Sequence, residues 1–131
     1  MNKLIWISTF IVFTFLLGCN KIDKKLTETT WVAKSYKVAS SSSNEQAPAT
    51  YTLLFKEKEI NLSLDVNQCG GDYSIGNNNK INFSSLYCTE ACCDSDFAIA
   101  IVSLLPKMKT YVINKYKLTL KGEGEIEFLA K

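Results

Sequence analysis

The chain has 131 residues, no histidine and no arginine, and its 15 basic and 13 acidic residues give a formal net charge of +2. The absence of histidine excludes Ser-His and Cys-His catalysis, imidazole metal ligands and a histidine proton shuttle. Without arginine there is no bidentate recognition of phosphate, and the small net charge does not favour a nucleic acid partner.

The beginning of the chain has the features of an export signal. Lys3 supplies a positive charge, and the apolar run after it is too short to span a membrane, which needs about 20 apolar residues. The run ends at Leu16-Leu17-Gly18-Cys19, which resembles the lipobox of bacterial lipoprotein signal peptides. We therefore predict a signal peptide over residues 1–18, cleavage before Cys19, and fatty acids on Cys19 that anchor the protein to a membrane.

Residues 19–29 are polar and rich in lysine, and they show no hydrophobic period. They are predicted to be a lipidated tether to a single domain at residues 30–131. Asn20 and Lys21 do not resemble a retention signal for the inner membrane, and no acidic run follows that would suggest export to the cell surface. The expected location is the outer membrane of the bacterial envelope, facing the periplasm.

Alternating apolar and polar residues predict that most of the domain is β-structure. The clearest alternation runs from Ile60 to Val66, and this strand is expected to pair with Tyr51 to Lys56 across a turn at Glu57-Lys58. A serine-rich loop is predicted at residues 39–49. The other predicted strands are Trp31 to Val38, Lys80 to Phe83, Tyr111 to Ile113, Lys117 to Lys121 and Glu125 to Leu129.

One helix is predicted where the hydrophobic period changes from two residues to a helical spacing. Its inward positions are Phe97, Ile101, Leu104 and Leu105. Asp94 or Ser95 is placed to cap the helix, and Pro106 to end it. The predicted fold is α+β: a small antiparallel β-sheet or partly open barrel with one packed helix.

Four cysteines remain once Cys19 is set aside, and an even number in an exported domain predicts disulfides. They are Cys69, Cys88, Cys92 and Cys93. Because adjacent cysteines rarely bridge each other, Cys69 is expected to join Cys88 or one member of the adjacent pair, in a cross-link between a strand end and the helix start. A thiolate site for zinc or copper(I) is the rival interpretation, but this cysteine spacing is not a recognised metal knuckle. We expect no metal and no other cofactor.

Paired carboxylates are the remaining route to catalysis. The candidate pairs are Asp94 with Asp96 and Asp65 with Asp72. Asp94 and Asp96 are better explained as negative charge at the start of a helix, which stabilises the helix without an active site. No motif marks another catalytic group, and the protein is predicted not to be an enzyme.

Several segments together resemble the META domain, a small envelope domain also called HslJ-like. The segments are Thr30-Trp31, Asn67-Gln68-Cys69-Gly70-Gly71-Asp72-Tyr73, Thr89-Glu90-Ala91-Cys92, Tyr111-Val112-Ile113 and Leu118-Thr119-Leu120. The resemblance implies an antiparallel sheet with a packed helix, an envelope or stress-related role, and no catalytic residues. It also implies structural roles for the motif residues Trp31, Asn67, Gly71, Tyr73 and Thr89.

The glycine-rich motif is interpreted as a tight turn with the buried ring of Tyr73, because glycine supplies positive φ and asparagine bonds its own backbone. Trp31 is interpreted as a core aromatic. The predicted function is a membrane-anchored structural or stress-related binding module with an envelope protein as its partner. The alternatives are a periplasmic inhibitor of a lytic enzyme such as lysozyme, and thiolate metal handling.

Overall fold

The computed structural model describes residues 23–131, so the predicted signal peptide and Cys19 lie outside the described residues. Two α-helices are present in this part, α1 (Lys24–Thr27) and α2 (Asp96–Leu104), and a 3-10 turn at Leu105–Lys107 follows α2. The strands are β1 (Thr30–Val38), β2 (Glu45–Gln46), β3 (Thr52–Phe55), β4 (Glu59–Ser63), β5 (Gln68–Ile75), β6 (Ile81–Phe83), β7 (Tyr87–Cys88), β8 (Met108–Asn114), β9 (Lys117–Gly122) and β10 (Gly124–Ala130).

The strands form one antiparallel sheet that curls into a nearly closed barrel. The order is β6-β5-β4-β3-β1-β10-β9-β8, with β2 paired to β1 and β7 paired to β5. The two ends of the sheet meet at a bridge between Lys80 and Thr110, beside which the Tyr111 amide donates to the Asn79 carbonyl at 3.0 Å. The predicted antiparallel barrel with one packed helix is confirmed in outline, although the domain is mostly β.

The barrel is filled by alternate residues of its strands. Leu118, Leu120, Ile126 and Phe128, which alternate along the last two strands, are fully buried. Burial of an aliphatic or aromatic side chain of this size contributes roughly 1.5–3 kcal/mol, so these strands are held by the interior. On the outer face, Lys117 pairs with Glu127 at 2.9 Å, and an ion pair exposed to solvent adds little to stability.

The helix start agrees with the prediction, and the turn between β5 and β6 has residues suited to its geometry. Asn78 and Asn79 both have φ of 57°, the left-handed geometry that asparagine tolerates. Ser95 is the N-cap of α2, and its hydroxyl accepts a hydrogen bond from the Ala98 amide at 3.2 Å. Pro106 lies in the 3-10 turn that follows α2, so the helix ends where predicted.

The last residues of the predicted tether belong to the folded domain, which corrects the boundary at residue 30. Asp23 caps α1 by accepting from the Lys25 amide at 2.9 Å. Leu26 is fully buried, and its carbonyl accepts a hydrogen bond from Trp31 Nε1 at 3.0 Å. A four-residue helix has one inward position, so a single leucine among lysines shows no period in the sequence.

The glycine-rich motif is a strand, and its interpretation as a tight turn is wrong. Most of the motif lies in β5, where Cys69 pairs with Leu62 of β4, and no glycine among the described residues has a positive φ. A Cβ on Gly71 would lie 2.8 Å from the Leu86 side chain. The glycines therefore provide room for the segment that crosses β5, a role that needs no special backbone angle.

Replacing Leu26 with alanine tests whether α1 is part of the core. We expect a loss of about 2–5 kcal/mol of unfolding free energy in urea, because a fully buried leucine is truncated. Lys25→Ala in the same helix is the control and should change stability by no more than about 0.5 kcal/mol, because Lys25 is exposed. Equal stabilities of the two variants would show that residues 24–27 are a tether after all.

Candidate functional site

The side chain of Asn67 is the centre of a polar network that joins two segments distant in sequence. Its Nδ2 donates to the Ala91 carbonyl at 2.8 Å and to Asp94 Oδ2 at 2.6 Å. Its Oδ1 accepts from the Thr89 hydroxyl and from the Ala91 amide, both at 2.8 Å. Asn67 is only 8% exposed, so these four bonds use the whole hydrogen-bonding capacity of a buried amide.

Asp94 holds the network from the other side. Its Oδ1 accepts from the Val66 amide at 3.0 Å and from the Asn67 amide at 3.3 Å. Burial opposes ionisation of Asp94, but the hydrogen bonds from the Asn67 side chain and the two amides outweigh it and lower the pKa of the carboxyl. Asp94 is therefore an ionised hydrogen-bond acceptor and does not cap α2.

A second carboxylate, Asp65, ties the same loop to the start of α2. The Ser95 amide donates to Asp65 Oδ2 at 2.9 Å, and the hydroxyl of Tyr51 donates to Oδ1 at 3.0 Å. The Ser95 amide is the strongest influence on this carboxyl; it lowers the pKa of Asp65, and the hydroxyls of Ser95 and Tyr51 add to the effect against the cost of burial.

The carboxylates that the structure brings to one region are Asp65 and Asp94, which differ from both predicted pairs. Asp65 accepts a hydrogen bond from the Ser95 hydroxyl, and Asp94 is the residue before Ser95. Asp72 lies elsewhere, on β5 opposite Glu59. No short motif links Asp65, Tyr51 and Ser95, because three separate segments contribute them, so no local pattern predicts this part of the network. Tyr51, Asp65 and Ser95 hydrogen-bond to one another, and these contacts tie the loop between β4 and β5 to the start of α2.

The four cysteines of the described chain form two disulfides. Cys69 of β5 is joined to Cys88 of β7, and the two residues are also partners in the strand register. Cys92 is joined to Cys93, so the expectation that adjacent cysteines do not bridge is wrong here. Cys93 has a φ of 93°. Residues 91–94 form neither helix nor strand, so no regular secondary structure opposes this backbone conformation. Of the partners left open for Cys69, the structure has Cys88, so the bridge joins two strands and does not reach the helix start.

The remaining motif residues have structural positions. Trp31 is fully buried, and Tyr73, which is 7% exposed, packs edge-to-face against Phe55 with ring centres 5.0 Å apart. The Tyr73 hydroxyl donates to the Lys56 carbonyl. Thr89 accepts from the Gln68 amide at 3.0 Å while donating to Asn67. These contacts agree with the structural roles that the family resemblance implies.

Several surface clefts adjoin the sheet in the described part of the chain. One of about 340 Å³ lies beside the Cys69–Cys88 bridge and includes Tyr87, which is 66% exposed. Another, of about 270 Å³, is polar, and it contains the buried Ser35 hydroxyl, which has no hydrogen-bond partner within the described protein. It is lined by Ser35, Lys37, Ser42, Asn44, Glu125 and Glu127.

Among residues 23–131, no group of three or more His, Cys, Asp or Glu side chains is placed to hold a metal ion. In that range, too, no helix has the length and apolar character needed to cross a bilayer.

Replacing Asp94 with asparagine tests the ionised acceptor. We expect the variant to lose about 1–2 kcal/mol of unfolding free energy at pH 7, because an acceptor oxygen becomes a donor facing other donors. The depressed pKa of Asp94 stabilises the fold above the unfolded value of about 3.9, and this contribution is lost as the pH falls through the folded value. The difference from wild type, measured by urea unfolding, should therefore shrink below about pH 4.

Asp96→Asn removes the same charge two residues away and serves as the control. Asp96 is exposed in the first turn of α2, so the expected loss is a few tenths to about 1 kcal/mol. An Asp94→Asn deficit that stays constant from pH 7 to pH 3 would contradict the role assigned to its carboxylate.

Comparisons with known proteins identify the fold and the family. A family model described as the META domain matches residues 24–131, whereas a search of curated protein sequences found no match. An NMR structure of a protein from Burkholderia xenovorans has a TM-score of 0.67 at 17% identity, with 82% of this chain and 85% of that chain covered. The crystal structure of a DUF4847 family protein from Bacteroides vulgatus ATCC 8482 has a TM-score of 0.63 at 12% identity, with 83% and 96% covered.

The family match covers the folded unit that the structure describes. It begins at Lys24, the first residue of α1, and includes both sides of the network around Asn67. The two solved structures share the fold. At identities of 17% and 12%, the likeness shows the fold alone. The resemblance found in the sequence motifs is thus confirmed: the chain belongs to the META domain family.

Proposed function

We propose that the protein is a lipid-anchored, non-catalytic module on the periplasmic face of the outer membrane, and that it acts by binding another envelope protein. The observation that carries this proposal is the lipobox-like motif ending at Cys19, followed after three residues by the N-cap of α1 at Asp23. An acylated Cys19 would connect almost directly to the barrel. At roughly 3.5 Å per residue, the chain between Cys19 and Asp23 reaches about 14 Å at most.

The polar network supports a non-catalytic role. Asp65 and Asp94 accept hydrogen bonds that lower their pKa values, so neither is poised to donate a proton near neutral pH. The four cysteines of the described domain are paired, which withholds a thiolate nucleophile. Groups of the kinds that perform catalysis in other proteins are here engaged in holding the loop and the start of α2.

A periplasmic inhibitor of a lytic enzyme is the second candidate, and the position of Tyr87 favours it. Tyr87 is 66% exposed, beside Cys88, whose disulfide fixes the segment to β5. Tyrosine is enriched at the energetic centres of protein interfaces, and a segment that is already ordered loses less entropy on binding. Its ring packs over Gly70, so it presents a fixed and exposed aromatic surface to another protein.

Cys19→Ala tests the anchor. We expect the variant to accumulate as an unprocessed precursor that takes up no labelled fatty acid in growing cells, because the acceptor thiol is absent. Gly18→Ala keeps a small residue before the cleavage site and should be labelled like the wild type. Unchanged labelling of the Cys19→Ala protein would remove the lipoprotein proposal.

Cross-linking in intact cells, followed by purification of the solubilised protein, separates the two candidates. An inhibitor should retain one lytic enzyme in stoichiometric amount, and Tyr87→Ala should reduce that capture at least about tenfold, the loss expected for an interface hot spot. Tyr116→Ala is the matched control, because Tyr116 is also exposed, at 76%, but lies in the β8–β9 turn. Capture of envelope proteins that is insensitive to Tyr87→Ala would favour the structural module.

A further inference from the structure

The adjacent disulfide between Cys92 and Cys93 lies inside the loop that holds Asn67. Ala91, immediately before it, makes two hydrogen bonds with the Asn67 side chain. Asp94, immediately after it, accepts from the Val66 amide, the Asn67 amide and the Asn67 side chain. The conformation of the two cysteines thus sets the spacing of both contacts on Asn67. We call residues 91–94 the clasp.

The two disulfides of the domain differ in accessibility and in support. Cys92 and Cys93 are both exposed, and they lie in a segment without helix or strand. In the other bridge Cys69 is only 2% exposed, and its pairing with Cys88 is repeated in the register of β5 and β7. A thiol in solution therefore reaches either sulfur of the Cys92–Cys93 bridge, whereas it meets the other bridge from the Cys88 side alone.

The backbone of the clasp depends on the closed bridge. Cys93 has a φ of 93°, in the left-handed region that residues other than glycine and asparagine rarely adopt. Such a conformation persists when surrounding constraints impose it, and the ring closed between two adjacent residues is such a constraint. Opening the ring lets Cys93 return to a common conformation, which displaces Ala91 relative to Asp94.

We propose that the Cys92–Cys93 bridge is a site of reversible thiol–disulfide exchange with a dithiol reductant, and that its reduction loosens the clasp on Asn67. A thiolate of the reductant attacks one sulfur, forming a mixed disulfide and releasing the other cysteine as a thiolate that takes up a proton. The second thiol of the reductant then attacks the reductant's sulfur in the mixed disulfide. The remaining cysteine leaves as a thiolate, which also takes up a proton. The protein gains two electrons and two protons, and the two reductant thiols become a disulfide.

The chemistry favours a dithiol over a monothiol. In a mixed disulfide with a monothiol, the freed cysteine is the sequence neighbour of the attacked one and can expel the monothiol, which restores the bridge. With a dithiol, the second thiol of the reductant attacks the mixed disulfide and completes the exchange before the neighbouring cysteine restores the bridge. The partner expected from this site is therefore a reductant with two nearby thiols, which in an exported protein would be another envelope protein.

Differential alkylation tests the exchange on the mature protein purified without reductant. Free thiols are first blocked, the protein is treated for increasing times with dithiothreitol, and new thiols are alkylated and mapped by mass spectrometry. We expect Cys92 and Cys93 to be labelled at least about tenfold faster than Cys69 and Cys88, with no label before reduction. Equal rates, faster labelling of Cys69 and Cys88, or free Cys92 and Cys93 at the start would overturn the proposal.

Hydrogen exchange of single amides tests the link to the clasp. Reduction of Cys92–Cys93 should accelerate exchange of the Val66, Asn67 and Ala91 amides at least about fivefold, because their acceptors move. The Ala33 amide, bonded to the Tyr51 carbonyl at 2.9 Å within the barrel, should be unchanged. Unaltered protection of the three amides would show that the bridge does not control the clasp.

Paired serine variants complete the test without any reductant. Cys92→Ser with Cys93→Ser should reproduce the fast exchange of the three amides, whereas Cys69→Ser with Cys88→Ser should leave them slow. The reverse pattern would place control of the clasp at the strand bridge and refute the proposal. None of these measurements depends on acylation of Cys19, so they stand or fall separately from the proposed anchor.

Discussion

The buried amide of Asn67 is the constraint on which the irregular segment between β7 and α2 depends. An amide excluded from water must find partners for two donor hydrogens and two acceptor lone pairs, and Asn67 finds all four in Thr89, Ala91 and Asp94. The chain from β7 to α2 has no regular pairing of its own over most of its length. Its course is therefore fixed by side-chain hydrogen bonds, chiefly those of Asn67 with Thr89, Ala91 and Asp94.

Much of the regular structure could be predicted from the sequence because it follows simple periods. The strands around Leu62 and Phe128 alternate, since one side of each strand contacts the barrel interior and the other is more exposed to water. The helix could be located for the same reason, with Phe97 and Ile101 at helical spacing and Ser95 in front of them. These features depend on local sequence alone.

The features that were missed depend on contacts between distant segments. Gly71 in β5 looks like a turn residue, but its lack of a side chain accommodates Leu86 from a later segment. Leu26 is an isolated apolar residue whose burial depends on Trp31. The bridge between Cys92 and Cys93 contradicts a general preference, and the Tyr51–Asp65–Ser95 contacts join three segments without a shared motif.

The meeting of the sheet ends at Lys80 and Thr110 limits how the domain can recognise a partner. Many proteins bind an extended peptide by adding it as a new strand to an open edge, where unpaired backbone groups give affinity with little regard to side chains. Here the Tyr111 amide already donates to the Asn79 carbonyl across that junction, at 3.0 Å. Recognition at the junction must then be carried by side chains projecting from the barrel, so selectivity would be encoded residue by residue instead of through the shared chemistry of the peptide backbone.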